Sequence, residues 1–216
     1  MYRPSAYAID EPEVLHRVIR ERRFATIASI VNGRLQFAYA PVIVDSGCGP
    51  RGAVRFHLAR VNPLADAEAA EMRFSFLAAD AYVSPDWYHS RGFVPTWNYI
   101  AVEGAGTARP LDDAGLRKLL VDLSASEEEK LRPKPPWTLD KIPEARMTAL
   151  LNAIRGFSVR FDTLEGKFKL SQDKKPGDIA AVIAGLEARG DPASRAVARA
   201  MKAHRGTAVR ASTSSA

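Results

Sequence analysis

The chain has 216 residues, 46 % hydrophobic and 26 % charged, with a formal net charge of +6 and a single cysteine, Cys48. That length can bury a sizeable core without staples, and it suits one or two domains. One cysteine excludes an intrachain disulfide, no run approaches the ~18 apolar residues of a membrane helix, and the polar opening MYRPSAYAIDEP lacks a signal core. A soluble cytoplasmic protein is expected. The positive charge favours anionic partners, but the basic residues form no run, so no dedicated nucleic-acid arm is read.

Asp10 is the expected N-cap of a first helix that carries Val14, Leu15, Val18 and Ile19 at helical spacing and ends near Arg22. Residues 24–31 read as a strand, Asn32-Gly33 as a type I′ hairpin turn, and 35–44 as the return strand, with Pro41 marking an edge or a bulge. The loop 45–52 matches G-x-G-x-x-G only by accident, since Pro50 interrupts it and no helix follows. Residues 53–59 form the next strand. Asn62 then caps a short helix with Pro63 at its first position, running to about Ala70. Residues 72–78 and 96–108 are further strands, and short turns between them predict an antiparallel barrel.

Between those strands, residues 82–99 (YVSPDWYHSRGFVPTWNY) hold two of the three tryptophans and three of the six tyrosines. Two readings stay open for this corner: part of the barrel core, or a wall for a flat aromatic ligand. The second half turns helical. Asp112 caps a helix with Leu116, Leu119, Leu120 and Leu123 on one face, and the Pro-rich stretch 132–138 interrupts. A helix from about Pro143 presents Met147, Leu150, Leu151 and Ile154 and stops at Gly156. Residues 157–163 alternate Phe157, Val159 and Phe161 inward, Glu165-Gly166 turns, and 167–172 follows. A third long helix holds Ile179, Val182, Ile183 and Leu186 and ends at Gly190. A last helix starts at Asp191-Pro192, and 206–216 reads as a disordered tail.

Three constellations carry chemistry. At 57–63 (HLARVNP) a strand ends in Arg60 before a capped helix, so the guanidinium and the free N–H groups could hold a phosphate. In the extended segment 165–172 (EGKFKLSQ) Lys167 and Lys169 point the same way, and an anion between two ammonium groups would relieve their repulsion. The aromatic corner could stack on and hydrogen-bond to a heterocycle. The four histidines are scattered without ligand spacing, and no G-x-S-x-G is present, so hydrolysis is disfavoured against a cofactor that brings its own chemistry.

The motifs MYRPSAY, FATIAS, HLARVNP, YVSPDWY, VPTWNY, PPW and EGKFKLSQ, in this order over about residues 1–190, resemble the PaiB family of FMN-binding negative transcriptional regulators. The resemblance implies an α+β fold with a mainly β core: a six-stranded antiparallel Greek-key split β-barrel with peripheral helices and a C-terminal helical extension. The implied division is a barrel over 1–172 with a helical insertion at 112–156, a helical segment at 173–205 and the tail. It further implies a homodimer with FMN at the subunit interface. The implied cofactor contacts are Ala38, Tyr39, Ala40, Pro41, His57, Leu58, Ala59, Arg60, Asn62, Trp97, Asn98, Lys167, Lys169 and Gln172. Relatives often carry Thr-His where this chain has Ala38-Tyr39. No helix-turn-helix with a basic recognition helix is read. The alternatives are an FMN-dependent oxidoreductase, of the flavin-reductase or pyridoxamine-phosphate-oxidase kind, and a flavin-free dimeric binding module.

Overall fold

The computed structural model describes residues 1–67 and 69–213, and side chains as far as residue 204. The chain forms two compact units. The first comprises Met1–Asp10, Leu77–Val102 and Glu165–Ala216; the second comprises Glu11–Phe76 and Glu103–Leu164.

In the second unit α1 (Pro12–Arg22) buries Leu15, His16, Val18 and Ile19 on one face. Pro12 opens it, where a missing N–H costs nothing. No side chain caps this helix, and Asp10, the expected cap, is instead held by Arg3 at 2.6 Å. β2 (Phe24–Val31) and β3 (Arg34–Pro41) form the expected hairpin. Asn32 and Gly33 take φ of 50° and 71°, the left-handed pair that a type I′ turn requires. The return strand stops at Pro41, which has no N–H to continue the ladder. Val42 instead donates to the Arg23 carbonyl, and β4 (Ile43–Asp45) pairs with β5 (Ala53–Ala59).

β5 pairs along its whole length with β8 (Ile154–Arg160). β8 also pairs with β7 (Thr96–Pro110), and β2 with β6 (Glu71–Val83). These registers are antiparallel. The strand order is β3-β2-β6-β7-β8-β5-β4, and β9 (Thr163–Lys169) pairs with β7 and with β1 (Ala8–Ile9). The sheet is therefore open and has nine strands among the described residues, where six were expected. Its core in this unit is a phenylalanine cluster. Phe56 meets Phe74 edge-on at 5.4 Å and stacks on Phe157 at 5.6 Å, and Phe74 meets Phe161 at 5.9 Å. Phe157, Val159 and Phe161 are buried, as their alternation predicts.

α2 (Asp113–Glu128) is capped by Asp112, which accepts from the Gly115 N–H at 2.7 Å. Its Leu116, Leu119 and Leu123 pack with Ile43, Leu111, Leu151 and Ile154. α3 (Glu144–Asn152) is shorter than expected, because Ile154 and Gly156 belong to β8. The side chains of Leu116 and Leu111 come so near Gly156 that an added Cβ would lie 3.0–3.1 Å from them. The helix expected from Pro63 to about Ala70 is only a four-residue 3-10 turn, Pro63–Asp66, although Asn62 does cap it.

In the first unit β1 pairs with β9, placing Ala8 opposite Lys167 and Ile9 opposite Gly166. Glu165-Gly166 is thus strand interior, not a turn. Past β6, Ser84 caps a 3-10 turn at Pro85–Trp87. α4 (Pro176–Arg189) buries Ile179, Val182, Ile183 and Leu186 and ends at Gly190, whose φ is 74°. α5 (Pro192–Thr213) packs on α4 through buried Val197, Ala198 and Met201. This helix takes up the expected tail 206–216 as far as Thr213, and residues 214–216 lie outside the described residues. Among the described residues no helix is long and apolar enough to cross a membrane.

Candidate functional site

The candidate residues divide between the units: nine, from Ala38 to Asn62, lie in the second and five, from Trp97 to Gln172, in the first.

In the first unit, strand alternation puts Lys167 and Lys169 on one side of β9 with Phe168 turned into the core. Lys167 is buried. Its ammonium donates to the Tyr2 carbonyl at 3.0 Å and lies 5.2 and 5.4 Å from the ring centres of Tyr2 and Tyr99. A carbonyl and two π faces satisfy this charge without an external anion. Lys169 is different. It donates to the Trp97 carbonyl at 2.8 Å and to the Thr96 hydroxyl, both neutral acceptors. No carboxylate lies within ion-pair distance of it among the described residues. Burial, and then the Lys167 charge, hold its pKa below the ordinary lysine value.

Asn98 is 1 % exposed. Its amide donates to the Ser171 hydroxyl at 2.9 Å and to the Met201 sulfur at 3.5 Å. Ser171 adopts φ 61°, and Gln172 folds back to brace that turn, accepting from the Leu170 N–H and donating to the Phe168 carbonyl. Gln172 and Asn98 therefore organise the site and have little left for a ligand. Trp97 is 52 % exposed, its ring 6.3 Å from Tyr82 edge-on, whereas Tyr88 is buried against Phe93 at 4.3 Å. Tyr88 is core, as the first reading of the aromatic corner has it, and Trp97 is an exposed flat ring.

Sequence reasoning missed Tyr7, Phe93, Asp173, Lys174 and Asp178 here. Tyr7, Tyr88 and Phe93, with Asn98, Lys169 and Lys174, line a pocket of about 140 Å³. The Lys174 ammonium donates to Asp173 at 2.6 Å and stands 4.9 Å from the Phe93 ring centre. Burial and the hydrogen-bonded Asp173 carboxylate push the Tyr7 phenol upward. Asp178, buried at the start of α4, accepts from the His89 and Ser90 N–H groups and the Ser90 hydroxyl, clamping the polar turn after Trp87. Of these residues only Tyr7 and Tyr88 fall in the motifs MYRPSAY and YVSPDWY; Phe93, Asp173, Lys174 and Asp178 carry no signal in the sequence.

In the second unit, Ala38 and Ala40 face the core and Tyr39 points outward, 66 % exposed, beside Pro41. Leu58 is a core residue and Ala59 is exposed. His57 shares the face of β5 with Arg55, which is tied to Asp45 and to Asp122 of α2. Burial lowers the His57 pKa, and its Nδ1 is buried without a partner. Arg60 donates through Nε to the Asn152 carbonyl at 2.9 Å and through Nη2 to the Ile154 carbonyl at 3.2 Å, closing the end of α3. Three of its five N–H donors, two on Nη1 and one on Nη2, remain for a phosphate. Asn62 accepts from the Leu64 N–H at 2.9 Å, so its side-chain oxygen is also engaged.

A flavin mononucleotide needs a flat surface for its ring system and cationic donors for its phosphate. The second unit offers such groups in the outward Tyr39 ring and the free N–H groups of Arg60, and the first unit separately offers the half-open Trp97 indole. An open antiparallel sheet with such surfaces defines the class: the fold is that of the flavin-binding split barrels. It is shared with the FAD and heme binding protein of Mycobacterium smegmatis (TM-score 0.56, 18 % identity, 83 % of this chain and 80 % of that one) and with the flavocytochrome Anf3 of Azotobacter vinelandii (TM-score 0.53, 16 % identity, 75 % and 69 %).

The family profile described as "Putative FMN-binding domain" matches residues 1–163, and the chain belongs to that family. Its cofactor is FMN. The protease synthase and sporulation protein PAI 2 of Bacillus subtilis is a relative, 29 % identical over 205 residues that cover 94 % of this chain and 97 % of that protein.

Proposed function

We propose that the chain works in the cytoplasm as a homodimeric flavoprotein of the PaiB type, holding FMN where two copies meet, and that its role is negative control of transcription. The observation that carries the dimer is the outer face of β2 and β3. Leu35, Phe37 and Tyr39 alternate outward along β3, and Ile30 and Phe24 stand opposite Leu35 and Pro41 on β2. All five are more than half exposed. A contiguous apolar sheet face of this kind marks a protein contact. A second copy offers the same face, as a two-fold interface requires. Burying each large side chain contributes about 1.5–3 kcal/mol.

Tyr39 stands on this face, so the segment from Ala38 to Pro41 borders the partner copy. Tyr39 is assigned to the flavin ring, and the free N–H groups of Arg60, in the same unit, to the phosphate. The flavin, when bound, supplies the redox chemistry; these residues bind and orient it. Titrating flavin-free protein with FMN tests the assignment. Quenching of flavin fluorescence should saturate at one FMN per chain, and Arg60→Ala should weaken it. Flavin that stays fully fluorescent contradicts the reading. Salt-sensitive binding to one operator above non-specific DNA tests the regulatory role.

A second reading, an FMN-dependent oxidoreductase, is favoured by the small pocket lined by Tyr7, Phe93 and Lys169, whose volume of about 140 Å³ suits a small substrate. Turnover of reduced nicotinamide by the FMN-loaded protein would support it over the first.

A further inference from the structure

The pocket around Lys169 does not suit the ligand that the paired lysines suggested. At about 140 Å³ it is well below the roughly 300–1,000 Å³ of sites for drug-sized ligands, so it cannot enclose a flavin. Its charges are two ammonium groups, Lys169 and Lys174, against one carboxylate, Asp173. Asp173 is engaged by Lys174 at 2.6 Å and by the Tyr7 phenol. Lys169 holds only neutral acceptors, so one positive charge in the pocket lacks a counter-charge. The Tyr88–Phe93 pair supplies an apolar wall, and the buried Asn98–Ser171 pair belongs to the lining.

We infer that this pocket is a binding site for a small organic monoanion, a carboxylate carried on an aromatic or short aliphatic body, with the carboxylate on Lys169 and the body against Tyr88 and Phe93. A dianion fits less well, because the Asp173 carboxylate stands in the same wall. Burial, and then the Lys167 charge, disfavour the charged form of Lys169 more than Asp173 favours it, so a bound carboxylate would restore what desolvation removes. The site goes beyond the flavin reading and stands or falls apart from it.

Benzoate is the probe, and benzamide its neutral counterpart, each titrated by chemical-shift perturbation or calorimetry against the full chain, FMN-loaded and flavin-free. Saturable benzoate binding is expected in both forms, with benzamide at least tenfold weaker. Lys169→Gln should weaken benzoate about tenfold or more, as expected for losing a charge-assisted contact, while Lys169→Arg stays within a few-fold. If Lys169→Gln does not fold, the benzoate–benzamide comparison on the unmodified protein still decides. Absence of saturable benzoate binding, equal affinity for benzamide, an unaltered affinity in folded Lys169→Gln, or expulsion of FMN by benzoate would each overturn the proposal. A protein that never takes up FMN yet binds benzoate would remove the flavin reading alone.

Discussion

His57 carries a buried ring nitrogen, Nδ1, with no hydrogen-bond partner, and burial lowers its pKa below 6.5. The unfolded chain therefore takes up a proton before the folded one as pH falls. Stability that is fully present above pH 6.5 should decline below it. His57→Gln should flatten that decline in urea melts between pH 7 and 5, and identical slopes for the two proteins would contradict the assignment. Lys167 and Arg60 illustrate a related point. Each is a cation that a sequence motif offers to a phosphate, and each is engaged by the chain's own carbonyls, Tyr2 for one and Asn152 and Ile154 for the other. An ammonium or guanidinium needs hydrogen-bond acceptors, and the sequence does not reveal whether those come from a ligand or from the backbone. Lys169 shows the opposite outcome, a charge with neutral partners only.

The elements were legible wherever local chemistry decided them. β2, the Asn32-Gly33 turn, β5 and the Asp112 cap fall where alternation, turn type and cap residue put them. The misread strand boundaries have one cause, that distant pairing outweighed local preference. Ile154 and Gly156 look like a helix end and its stop, but their register with β5 makes them strand; Glu165-Gly166 looks like a turn, but pairing with β1 extends it. The close approach at Gly106 was invisible for the same reason. A Cβ there would sit 2.0 Å from the Arg160 carbonyl oxygen, so Gly106→Ala should cost at least about 1–3 kcal/mol, read as a lowered urea midpoint; an unchanged midpoint would count against this packing. Asp178 offers an element-scale test in pH. Hydrogen bonds from Ser90 and from the His89 N–H hold its pKa below 3.8, so its stabilisation is present above that pH and fades as pH falls through the lowered value. Asp178→Asn should therefore lower stability at pH 7, and the gap from the unmodified protein should close in acid. A pH-independent gap would contradict a charge-based clamp.

At the scale of the whole molecule, the split-barrel fold and the FMN family were legible from a handful of motifs spread in order along the chain, some inside strands such as β2 and β9 and some in the turns between them. The outward row Leu35, Phe37 and Tyr39 was not, since alternation along a strand shows that one side differs from the other without showing which side a partner will cover. The unsupported apolar face is the reason to expect two copies and, through Tyr39, the reason to expect flavin between them. Phe37→Glu places a charge at the centre of that face, and its effect should be that of losing a hot spot, about 2 kcal/mol or more of association. Light scattering in line with absorbance detection, on FMN-loaded protein at micromolar concentration, reads both properties at once. The account predicts twice the chain mass with flavin absorbance in the same peak, and a colourless single-chain mass for Phe37→Glu. A single-chain mass for the unmodified protein, or a Phe37→Glu variant that remains a yellow dimer, would contradict it.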